Sequence, residues 1–152
     1  MKIKILSFQH TVAIPDIDRV WELLRQQLTF IGYDPTKASV QMVLANAMKE
    51  RSRSVLWVAY DREQAVGIAF GNVCCGLENG GDYLWLNELY VSGQARLHGI
   101  GARLLEAAQD WAKNHGCTYL ALVTHPKNDR AQRLYASKGF ELENLVWVDK
   151  YL

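Results

Sequence analysis

The chemistry-bearing residues centre on Arg96-Leu97-His98-Gly99-Ile100-Gly101. A strand-like apolar run, 84 to 91, precedes this stretch, and a patterned helix, 102 to 115, follows it. Closely spaced glycines at a helix start suit a phosphate. The helix N-terminus leaves backbone N–H groups unpartnered and carries about half a positive charge. Glycine removes the Cβ that would keep a ligand away. Two nucleotide fingerprints are excluded. The dinucleotide motif needs a third glycine where Leu104 stands, and no Gly-Lys-Ser/Thr P-loop occurs.

The surrounding elements follow from periodicity. Residues 2 to 7 alternate as an edge strand. Pro15-Asp16 opens a helix whose apolar residues Val20, Trp21, Leu23, Leu24, Leu28 and Ile31 keep helical spacing, with Gly32 at its end. After the turn Tyr33-Asp34-Pro35, a second helix carries Val40, Val43, Leu44, Ala47 and Met48 on one face. It ends in the basic cluster Lys49, Arg51, Arg53. Residues 55 to 60 and 65 to 74 form a hairpin, and 78 to 82 a loop. The helix after the glycine turn repeats Leu104, Leu105, Ala108, Trp111 and Ala112. Residues 119 to 123 read as a short buried strand and 127 to 138 as a helix stopped by Gly139. Residues 140 to 142 and 146 to 152 read as two closing strands. This order is α/β with a mixed sheet.

The chain has 152 residues, 49% apolar and 22% charged, enough for one domain with a core. The net charge of +1 argues against a nucleic-acid protein working through bulk charge. No run approaches a membrane span, and the N-terminus lacks a signal-peptide pattern, so the cytoplasm is the expected location. Cys74, Cys75 and Cys117 show no ligand spacing, so no metal is expected, and they read as small apolar residues in a reducing compartment.

Two separated motifs resemble the GNAT N-acetyltransferase superfamily. Arg96-x-x-Gly99-x-Gly101 matches its Arg/Gln-x-x-Gly-x-Gly/Ala loop. Asn128, Ala131, Tyr135, Gly139 and Phe140 match its Asn-x-x-Ala-x-x-x-Tyr-x-x-x-Gly-Phe pattern. Leu89-Tyr90-Val91 matches its Leu-Tyr-Val strand. The resemblance covers 84 to 140 most closely, and element order extends it over nearly the whole chain. It implies a single domain, 1 to 152, with a mostly antiparallel sheet of six to seven strands, splayed centrally and flanked by four helices.

It also implies direct acetyl transfer from acetyl-CoA, as co-substrate, to an amine. The backbone amides of Leu97, His98, Gly99, Ile100 and Gly101 would meet the pyrophosphate, and the strand residues Leu89, Tyr90 and Val91 the pantetheine arm. The Leu89 N–H would face the acetyl oxygen, and Asn128 would bond the pantetheine. Tyr135 falls where relatives place a general acid, although it also shares an amphipathic face with Ala131 and Leu134. Arg96 is the foremost of several cations, with Arg103, Lys127, Arg130 and Arg133, flanking the two helix starts. His98 and His125 read as structural or exposed.

An amine must lose a proton before it attacks. Glu88 is the acidic residue of the apolar strand and the candidate base. Its facing stays open, because a bulge would flip it. Some relatives hold an acid one position earlier, where this chain has Asn87. Phe30, Tyr33 and Asp34, with Glu141, Glu143, Trp147 and Asp149 and a rim of Glu78 and Asp82, suit a small cationic amine such as a polyamine or amino compound. A peptide or protein amine, a longer acyl group and a non-catalytic acyl-CoA sensor are the alternatives. The apolar end, 146 to 152, would invite pairing with a second chain, hence a homodimer.

Overall fold

Three long runs rich in buried apolar residues build the centre of the sheet: β2 (Ser54–Asp61), β3 (Gln64–Gly76) and β4 (Gly81–Val91). The computed structural model describes residues 1–10 and 13–152. They fall into two compact units, Met1–Leu122 and Val123–Leu152. The first unit also contains β1 (Ile3–Phe8), α1 (Ile17–Phe30), α2 (Lys37–Ala47), a short 3-10 turn at Gly93–Ala95, α3 (Ile100–Asn114) and β5 (Tyr119–Ala121). The second contains α4 (Asp129–Ser137).

The sheet order is β1-β2-β3-β4-β5, antiparallel except for the parallel β4–β5 pair. One face takes α1 and α2. There Val20, Leu23, Leu24, Val40, Leu44 and Met48 pack with Leu56, Val58, Tyr60 and Ile68. The other face takes α3, where Trp57 meets Trp111 edge-on at 5.8 Å. Close approach of α3 needs Gly67, since a Cβ there would sit 3.1 Å from Leu104 Cδ1 and 3.4 Å from Ile100 Cγ2. Position 67 thereby sets the height of the helix start that carries the glycine turn.

The sheet has five strands, not six to seven. Residues 140–152 form no strand, although their composition favours one. A strand exists only through a partner's hydrogen bonds, and these residues join no ladder among the described ones. From 141 onward these residues are exposed, Val146 to 88% and Val148 to 85%. β5 is shorter than expected and partly exposed, ending at Ala121. In α2 Val43 points outward, and the cations Lys49, Arg51 and Arg53 lie beyond the helix end. Arg53 instead pairs with Asp82.

Candidate active site

The pairing of β4 creates the site. β4 holds β3 along its whole length to Val91, but meets β5 only at Tyr83, Leu84 and Trp85. Beyond Trp85 that ladder ends with β5, leaving a gap along this edge of β4 where no described strand pairs. The Ser92 N–H donates to Val66 O on the β3 side at 2.9 Å. Strand amides alternate in direction, so the N–H groups of Leu89 and Val91 point into the gap. An open backbone edge of this kind can pair with an amide-bearing arm and offer an N–H to a carbonyl oxygen.

The glycine turn caps the gap. Leu97 and Gly99 both lie in the left-handed region, at φ 69° and 70°. Left-handed residues in a short turn aim successive N–H groups into one concavity, a nest for an anion. Leu97 adopts this conformation at a cost of about 1–2 kcal/mol, and its side chain is 88% exposed. No described acceptor takes the N–H groups of Leu97, His98, Gly99, Ile100 or Gly101. A Cβ at Gly99 would meet nothing within 4 Å, so the nest is open from outside. These donors fit a pyrophosphate.

Arg96 is placed differently from the simple phosphate reading. Its Nε donates to Val91 O at 3.1 Å. Its guanidinium lies 5.4 Å from the Tyr90 ring centre and 5.8 Å from that of Phe30. The motif arginine thus ties the loop back onto β4 and the end of α1. Arg103 donates to Ile3 O at 3.0 Å, anchoring α3 to β1.

The β3–β4 bulge decides where Glu88 faces. Phe70 sits opposite Glu88 and Gly71 opposite Leu86, so Asn87 is the inserted residue. Without it Glu88 would share the α3 face with Leu84 and Leu86. With it Glu88 turns to the α1 face, where Gln27 Nε2 donates to its Oε2 at 2.9 Å. Burial pushes the Glu88 carboxyl above the ordinary carboxylate range, and the Gln27 hydrogen bond opposes this in part. A carboxylate so placed becomes a base nearer neutral pH.

Asn87 accepts from Asn72 Nδ2 at 2.7 Å, and Asn72 accepts from the buried Ser54 hydroxyl at 2.6 Å. This polar strip fixes the bulge. At the mouth, Phe30 and Tyr33 are exposed, at 63% and 53%, with Asp34 also exposed. Asp82, expected at the rim, is taken up by Arg53. A separate cleft of about 810 Å³ by Lys4, Pro15, Arg19 and Tyr60 contains neither Glu88 nor the glycine turn. The Tyr60 hydroxyl there donates to Pro15 O, holding the approach to α1.

The second unit carries the other motif. Asn128 caps α4, its Oδ1 accepting the Ala131 N–H at 3.1 Å. Tyr135 is buried and packs on Phe140, ring centres 5.9 Å apart. Burial pushes its phenol pKa up, which keeps the proton on. His98 and His125 are exposed; the His98 ring hydrogen-bonds Arg96 O, and the His125 ring accepts the Lys127 N–H. Gln27 and Asn72 are the site residues that motif reading misses. Gln27 had a signal, standing seven residues after Val20 on the buried stripe of α1.

Residues 17–140 match the family model described as Acetyltransferase (GNAT) family. An aminoglycoside N(6')-acetyltransferase type 1 of Serratia marcescens is 32% identical over 149 residues, 93% of this chain and 99% of that one. A D-amino-acid N-acetyltransferase of Saccharomyces cerevisiae is 29% identical over 96 residues, 60% of each chain. The fold resembles the solved structure of AAC(6')-Iy in complex with the bisubstrate analog CoA-S-monomethyl-acetylneamine, with TM-score 0.79, 22% identity and full coverage of both chains.

Proposed function

Because the chain belongs to the GNAT acetyltransferase family and is an acetyl-CoA-dependent N-acetyltransferase, we propose that its acceptor is a primary amine of a small cationic molecule. The observation that carries this is the Glu88 carboxylate held by Gln27 on the α1 face, with the exposed Phe30 further along α1 against Tyr90 and the exposed Tyr33 and Asp34 in the turn that follows. Aromatic faces and a carboxylate attract an ammonium group and leave a base to deprotonate it. The Serratia marcescens relative, named for an aminoglycoside, supports an amino sugar ahead of an open-chain polyamine. The yeast relative, named for D-amino acids, shows that the family's acceptors vary.

Acetyl-CoA supplies the acyl group as a thioester. The Leu97 to Gly101 amides hold its pyrophosphate, and the free edge at Leu89, Tyr90 and Val91 holds its arm, with the Leu89 N–H toward the acetyl oxygen. Glu88 takes the amine's proton, directly or through a water. Tyr135 returns a proton to the leaving sulfur, and Asn128 bonds the pantetheine. The family match runs across the boundary at residue 122, which supports one catalytic domain over 1–152. The free cysteines support a reducing, cytoplasmic setting.

The test is a thiol-release assay on an amine panel beside a CoA-binding titration. Turnover is expected on cationic aminosugars or polyamines, with little on neutral amines and peptide amines. Turnover confined to peptides would move the acceptor to protein, and CoA binding without turnover on any amine would favour a sensor domain. The exposed apolar residues 145–148 further support a homodimer. Sedimentation is expected to show it at micromolar concentration, and a monomer alone would refute it.

A further inference from the structure

α1 buries Val20, Leu23, Leu24 and Gln27 in one stripe. Among the described residues the buried polar side chains are Gln27, Ser54 and Ser92. Ser54 belongs to the strip beneath the bulge. Gln27 stands apart, placed among leucines and valine, with its amide on a carboxylate 61 residues away in sequence. A buried glutamine in an apolar stripe is retained at the cost of stripping its amide of water, and a hydrogen bond to an ionised group offsets that best.

The partner's chemistry explains the residue type. A lysine or arginine at position 27 would neutralise the carboxylate and suppress it as a base. A leucine would let the carboxylate rotate. A glutamine donates without adding charge. The rest of α1 keeps its charges elsewhere, since Glu22 is occupied by Arg25 and Gln26. Facing Glu88 are Gln27 from α1, its register partner Phe70 from β3 and Tyr90 two residues along β4. The Arg96 guanidinium lies over the Tyr90 ring. Burial and Gln27 are the influences on the carboxyl, with no cation among them.

We propose that Gln27 is a positioning residue for acetyl transfer: its amide fixes one oxygen of Glu88 so that the other is presented to the acceptor amine. This rests on Glu88 being the base. Because Phe30 lies one turn further along α1, the base and the exposed aromatic at the mouth are held by one helix. Acceptor placement and base orientation are therefore set together.

The test compares pH profiles of kcat/KM for the amine in wild type, Gln27→Met, Gln27→Glu, Glu88→Gln and the Gln27→Met/Glu88→Gln double variant. Gln27→Met keeps length and loses the donor. It is expected to lower kcat three- to tenfold, leave KM for acetyl-CoA unchanged and move the acidic limb up by about half a pH unit or more. Gln27→Glu, of the same shape, moves the limb up through like charge, and serves if the methionine variant folds poorly. In the Glu88→Gln background Gln27→Met has no further effect. If Glu88→Gln removes the limb while both Gln27 variants leave it in place, Gln27 has no positioning role. If Glu88→Gln retains the limb, the base assignment fails and takes this inference with it.

Discussion

Glu88→Gln is expected to lower kcat/KM for the amine about a hundredfold and to abolish the acidic limb of its pH profile. Positioned general bases contribute on the order of 10²–10⁴ in rate, so a hundredfold loss, about 2.7 kcal/mol, is the modest end. Glutamine keeps the shape and an oxygen for Gln27 to donate to, but cannot take a proton. In the wild type, burial raises the Glu88 carboxyl above the ordinary range. Activity should therefore fall as pH drops through a value above that of a free glutamate. Stability carries the opposite sign. A raised folded-state pKa means that the folded chain binds the proton more tightly than the unfolded one. Its stabilising contribution is complete below the ordinary carboxylate value and is lost as pH rises to the raised value. At neutral pH, replacing the half-buried charge with an amide should leave Tm unchanged or higher. A thermal melt beside the rate measurement separates a lost base from a damaged fold. A persistent acidic limb in Glu88→Gln would remove Glu88 from the mechanism.

The placement of Glu88 marks how far the sequence could be read. The strands β2 to β4, the helix α3 and the glycine turn follow from patterns that persist over many residues, and all are present. The facing of Glu88 does not. Leu84, Leu86 and Glu88 alternate perfectly in sequence, which predicts one shared face. The inserted Asn87 breaks that arithmetic, and a single-residue bulge leaves no periodic trace. It is held by the Ser54–Asn72–Asn87 hydrogen bonds, which link three strands and are invisible to local pattern. The tail shows the reverse error. Leu145-Val146-Trp147-Val148 has strand composition, but β-propensity describes a fit to neighbours, and none of the described strands supplies one. By its charge alone Asp82 suits the rim. Its pairing with Arg53 depends on the start of β4 lying across β3 from the approach to β2, which composition does not encode. Arg96 opens the motif, yet its contacts with Val91, Phe30 and Tyr90 make it a brace between loop and helix.

Tyr135→Phe is expected to lower kcat tenfold or more while leaving acetyl-CoA affinity nearly unchanged. The substitution removes one oxygen and keeps the ring, so the packing on Phe140 survives. The phenol's burial raises its pKa above the usual value near 10, so it stays protonated through the working range. A protonated phenol can donate to a departing thiolate, whose basicity lies below its own. The donation matters only as the carbon–sulfur bond breaks. Its loss therefore reaches kcat and spares ground-state binding, as expected for an interaction made in the transition state alone. Steady-state kinetics with calorimetric titration of acetyl-CoA separate the two quantities. An unchanged kcat would reduce Tyr135 to a packing residue of α4. Equal losses in kcat and in coenzyme affinity would mean instead that the hydroxyl holds acetyl-CoA before reaction, and that proton delivery to sulfur comes from another group or from water.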